Sequence, residues 1–81
     1  MDANITLYPG QMQQIRFVMP TDLTFTAISE WDYGITIVVN NKDTFTSFSS
    51  NSLFDLKSVS VIEISNAGHN PFIFSTFCIS C

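Results

Sequence analysis

Apolar and polar residues alternate along much of this chain with a period of two, as expected when successive side chains point to opposite faces of an extended strand. Leu23, Phe25 and Ala27 share one face of a run whose other face carries Thr24, Thr26 and Ile28, and Ile35, Ile37 and Val39 form the apolar side of another. Ile5 to Tyr8 is a shorter alternating run, followed by the turn dipeptide Pro9-Gly10. From Gln11 to Met19, Ile15, Phe17 and Met19 oppose Gln14, Arg16 and Val18, and Pro20 is expected to stop that strand. Asn40 to Asp43 reads as a hairpin turn and Thr44 to Phe48 as the strand returning from it. Leu53 to Leu56 fits a helical turn or a strand. No stretch keeps a helical period.

Near the C-terminus, Ser58 to Ser65 and Phe72 to Ser80 are rich in β-branched and aromatic residues, and the turn formers Asn66 to Pro71 join them. They are expected to pair as an antiparallel hairpin. In the first arm Val59 and Val61 share a face while Ile62 and Ile64 share the other, so the arm is either buried on both sides or carries a bulge near Val61 and Ile62. In the second arm Phe72, Phe74 and Cys78 face one way and Ile73, Phe77 and Ile79 the other. A strand apolar on both faces belongs inside a layered fold or beneath another subunit, which makes Phe72, Ile73, Phe74, Phe77 and Ile79 interface candidates.

Closely spaced strands and turn signals predict one all-β domain over residues 1–81, a small antiparallel β-sandwich of about seven to eight short strands. The strand, Pro-Gly, strand arrangement in Leu7-Tyr-Pro-Gly-Gln11 resembles the opening hairpin of many immunoglobulin-like and jelly-roll sandwiches, and the resemblance implies architecture alone.

Composition then changes the picture. The chain has 81 residues, of which 46% are hydrophobic and 12% charged; that charged share is about half the usual ~25%. A chain of this size buries only about 60 to 65% of its unfolded surface. More apolar surface is present than so short a fold can hide, and neighbours are expected to cover the excess. Protein interfaces are depleted in Lys, Glu and Asp and enriched in aromatics and Met, so the same composition points to contact.

The net charge is -4, with Arg16, Lys42 and Lys57 the only basic side chains, which speaks against nucleic acid as a partner. No apolar run approaches the ~20 residues of a membrane span, and Met1-Asp-Ala-Asn-Ile5 lacks the character of a signal peptide, so synthesis in a cytoplasm is expected, with incorporation into a virion as one destination. Asn4-Ile5-Thr6 fits the glycosylation pattern but carries little weight without export.

Candidate chemistry is sparse. Cys78 and Cys81 form a C-x-x-C pair, but on a continuing strand they would face opposite ways, so structural free thiols are expected. His69 reads as a loop residue, and Asp22, Glu30, Asp32 and Asp43 match no metal-ligand spacing. No catalytic residues, metal or cofactor are expected. The loop Glu30-Trp31-Asp32-Tyr33 is the best candidate for recognition, because Trp and Tyr offer rigid area and the carboxylates could hold sugar hydroxyls; Trp31 plugging the end of the fold is the plainer reading.

The expected function is therefore a non-enzymatic structural module that assembles with itself or a larger protein shell, such as a virus or phage capsid, spike or decoration protein. The alternatives are a small carbohydrate-binding domain, using Trp31, Tyr33 and nearby Asn40 or Asn41, and a small acidic inhibitor of another protein.

Overall fold

The structure is a computed structural model that describes residues 4–29, 34–46 and 52–78. They form six strands: β1 (Asn4–Leu7), β2 (Met12–Ala27), β3 (Ile35–Val39), β4 (Asp43–Phe45), β5 (Ser52–Asn66) and β6 (Phe72–Cys78). All lie in one sheet in the order β1-β6-β2-β5-β3-β4, and each neighbouring pair is antiparallel. The chain is all-β, as its alternation predicts, but with fewer and longer strands than expected.

Two strands account for the difference. β2 and β5 are 16 and 15 residues long and pair along both their halves, forming a ribbon that runs through the whole sheet. The C-terminal half of β2 also pairs with β6, while the C-terminal half of β5 pairs with β3. One half of the sheet is thus β1-β6-β2-β5 and the other β2-β5-β3-β4, joined by the ribbon.

Between the halves the ribbon loses register. Arg16 faces Val61 and Thr21 faces Val59, so the four residues from Phe17 to Pro20 stand opposite Ser60 alone. Pro20 therefore does not end the strand; it lies in an excursion where no ladder amide is needed. One step further, Lys57 and Ser58 stand opposite Asp22, and Ser58 takes a left-handed φ of 52°. Of the two expectations for this arm, burial on both sides holds at Val61 and Ile62, and the bulge lies here, at Lys57 and Ser58. At Val61 and Ile62, 5% and 0% exposed, adjacent side chains on opposite faces are both buried.

Of the expected hairpins, the one turning at Asn40 to Asp43 is present as β3 and β4, and the other two are absent. β6 pairs with β1 and β2, so β2 separates it from β5, and β1 pairs with β6 rather than with β2. Local turn chemistry announces a reversal but not the neighbour. The Pro9-Gly10 turn carries the chain from one half of the sheet to the other, closed by a 3.0 Å bond from the Gln11 amide to the Tyr8 carbonyl. Gly10 takes φ 85°, which suits glycine at no steric cost.

The inner faces of the two halves share one core. Leu7, Leu23, Phe25, Ala27, Phe72 and Phe74 from one half pack in the same cluster as Ile35, Ile37, Val39, Ile62 and Ile64 from the other. A run of rings crosses it: Phe45 to Phe54 at 6.2 Å, Phe54 to Phe25 at 6.4 Å, Phe25 to Phe74 at 5.2 Å and Phe74 to Phe72 at 5.8 Å between centroids. These spacings fall in the range where offset and tilted rings attract.

Candidate interaction surface

Because β6 lies between β1 and β2, one of its faces belongs to the core. Phe72 and Phe74 are 1% and 0% exposed and are occupied within the chain's own interior, so they are not presented to a partner. Ile73 is half-buried and Phe77 exposed on the opposite side, which leaves these two as the outward members of the expected set; Ile79 lies outside the described residues.

The outer face around Phe77 follows from strand register. Thr24 of β2 faces Phe77 on β6 and Asp55 on β5, while Thr26 faces Ser75 and Leu53. Leu53 and Phe77 are 62% and 45% exposed, and they flank the two threonines from opposite sides. The Thr24 hydroxyl donates to Asp55 Oδ1 at 3.0 Å, tying down the nearest carboxylate. The face is thus apolar at two points and neutral hydroxyl between them. Leu53 was read from the sequence only as part of an ambiguous segment. No signal in the sequence could have found it, because its outward place follows from its register against Thr26.

The opposite half presents a different outer face. There Gln14 donates through Nε2 to Glu63 Oε1 at 2.8 Å, and Arg16 donates through Nε to Gln14 Oε1 at 3.1 Å. Met12, 61% exposed, is the large apolar side chain beside this polar chain.

The register break between the halves gathers charge. Asp22 accepts the Ser58 amide at 2.9 Å and lies 3.8 Å from Lys57 Nζ, a pair exposed enough to contribute about 1 kcal/mol or less. Asn40, at φ 54°, stitches the β3–β4 turn to the same break: its Nδ2 donates to the Ser58 carbonyl, its Oδ1 accepts the Ser60 amide, and its own amide donates to the Val61 carbonyl. That side chain is engaged in holding the fold.

The remaining expectations divide clearly. Glu30, Trp31, Asp32 and Tyr33 lie outside the described residues. His69 is exposed on the connection between β5 and β6. Among the described residues no group of three or more His, Cys, Asp or Glu is placed to hold a metal ion, and no helix is long and apolar enough to cross a membrane. Cys78 is not the free thiol expected; it is disulfide-bonded. Opposite-face geometry excludes a pair only for a strand that continues to Cys81, which lies outside the described residues. Comparison of the chain with family models, with characterised proteins and with solved structures found no match.

Proposed function

We propose that the protein is a non-enzymatic assembly module that acts through contacts with copies of itself, of the kind from which virus and phage particles build capsids, spikes and decorations. The observation that carries this reading is the outer face of β5-β2-β6, where exposed Leu53 and Phe77 flank the neutral Thr24 and Thr26. Burying Leu and Phe side chains gains about 1.5 to 3 kcal/mol each, while threonine hydroxyls can be satisfied across an interface without the desolvation cost of a charge. Two such faces can pack about 10 Å apart, the spacing of stacked sheets. An isologous pair would use each exposed side chain twice. The particle setting rests on the profile of a compact, weakly charged β domain, which recurs in capsid proteins. We read the bent sheet, with two inner faces on one core, as sandwich-like.

Sedimentation velocity of the purified chain tests the reading. Species heavier than the 9.1 kDa chain should grow with concentration, and Leu53→Asp with Phe77→Asp should return them to monomer. A wild-type chain that remains monomeric at high concentration would count against assembly with itself.

A further inference from the structure

Antiparallel strands exchange backbone bonds only at every second residue pair. The Asn66 amide donates to the Gln11 carbonyl at 3.0 Å, one step before the Met12 and Ser65 pair of the ladder. On that phase Gln13 and Ile15 bond to β5, while Met12, Gln14 and Arg16 turn their amides and carbonyls the other way. The far side of β5 agrees: the Asn40 amide donates to the Val61 carbonyl at 2.8 Å, so Val61 turns toward β3 and Arg16, opposite it, is directed outward. Among the described residues β6 pairs with β2 only from Leu23 to Ala27. Met12, Gln14 and Arg16 therefore present an open edge of the kind that templates another strand.

The side chains along this edge read alike in both directions. From Met12 to Val18 exposed and half-buried positions alternate. About Ile15 at the centre, Gln14 is matched by Arg16, Gln13 by Phe17 and Met12 by Val18. The exposed set is thus apolar, polar, polar, apolar, with Met12 61% and Val18 108% exposed. A foreign strand would match that order only by chance, whereas an antiparallel copy of the segment matches it by symmetry.

We propose that Met12 to Val18 pairs antiparallel with the same segment of a second copy, about a two-fold axis at Ile15. The inference rests on the reading of the chain as a self-assembling module and adds a second contact to the outer face of β5-β2-β6. In this register Gln14 of each copy exchanges bonds with Arg16 of the other, the phase the edge requires; a shift by one residue would set outward groups against inward ones. Ile15 meets its counterpart at a pair without backbone bonds, where side chains approach most closely. Met12 covers Val18. Charge fits as well: within a copy Arg16 donates to Gln14 and Gln14 to Glu63, and in the pair each Arg16 stands opposite the other copy's Gln14 with that copy's Glu63 next in line. Such an edge is small beside the about 800 Å² per partner of an ordinary interface, so it binds weakly alone and is gained by copies already held together at the outer face. Two different two-fold contacts on one chain carry assembly past the dimer.

Sedimentation velocity with residue-resolved amide hydrogen exchange tests this. The concentrated wild-type chain should form species larger than a dimer, and its Gln14 and Arg16 amides should exchange about tenfold or more slowly than in the monomeric Leu53→Asp, Phe77→Asp variant. Gln14→Pro removes an amide that the chain's own ladder does not use, a place where an edge strand accepts proline, and should stop assembly at the dimer. Arg16→Glu, at an exposed position, sets a carboxylate beside the other copy's Glu63 and should do the same. Assemblies of unchanged size in either variant would overturn the proposal, as would Gln14 and Arg16 amides that exchange at the monomer rate in the concentrated wild type. Protection of these amides already in the monomeric variant would overturn it too, assigning the edge to another segment of the same chain. A wild type that stops at the dimer with both amides unprotected overturns the edge contact and leaves the outer face standing. Assemblies that persist in the Leu53→Asp, Phe77→Asp variant with both amides protected overturn the outer face and leave the edge, and a wild type that stays monomeric overturns both.

Discussion

At one end of the bent sheet a buried amide joins three segments, while at the other a set of exposed bonds surrounds an apolar excursion. Asn66 is 1% exposed, and its Nδ2 donates to the Leu7 and Asn70 carbonyls, both at 2.9 Å, while its Oδ1 accepts the Gly68 amide. Its backbone is used as well, since the carbonyl accepts from Gly10 and the amide donates to Gln11. Gly34 packs beside it so closely that a Cβ there would fall 1.9 Å from the Gly68 nitrogen. At the register break, by contrast, Asp22, Asn40 and Ser58 make their bonds in reach of water. Hydrogen bonds at the two places therefore have different consequences. A buried group stripped of its partner bears its full desolvation cost, whereas an exposed one turns to solvent.

Substitutions should separate the two ends in a graded series. Asn66→Ala leaves the Leu7 and Asn70 carbonyls and the Gly68 amide without that partner, and a loss of about 2 to 4 kcal/mol in denaturant unfolding is expected. A loss under about 0.5 kcal/mol would mean that this end does not hold the halves together. Gly34→Ala forces backbone apart against Gly68 and Ala67 and should cost about 1 to 3 kcal/mol, read as a lower unfolding midpoint. At the register break the sign reverses: Ser58→Gly relieves a left-handed φ of 52° and should stabilise by about 0.5 to 1 kcal/mol after the entropy of glycine is counted. Val18→Ser, in the excursion, should change stability by less than about 0.5 kcal/mol. A large loss there would show that the excursion supports the fold.

The contrast also explains what could be read from the chain. Alternation identified the buried faces of β3, where Ile35, Ile37 and Val39 are in the core, and of the second half of β2, where Leu23, Phe25 and Ala27 are. It failed at Met19, assigned to the face of Ile15 and Phe17, because the period holds only while pairing holds and register slips after Arg16. Beyond the hairpin of β3 and β4, strand order was invisible for a related reason. Pro9-Gly10 and the connection from Asn66 to Pro71 encode turns, but which strand lies alongside depends on contacts distant in sequence, and β2 enters between β5 and β6. Asn66 looked like one more turn residue; its role depends on Leu7, 59 positions away. Of the surface, Phe77 could be foreseen from the phase of its strand, while Leu53 required knowing its register against Thr26.

The most direct test of the claim that neighbours cover the outer face of β5-β2-β6 is hydroxyl-radical footprinting across a dilution series, read at single side chains. Leu53 and Phe77 should lose reactivity as concentration rises, while exposed Tyr8, away from that face, keeps its own. Unchanged reactivity at Leu53 and Phe77 from the most dilute to the most concentrated sample would contradict it.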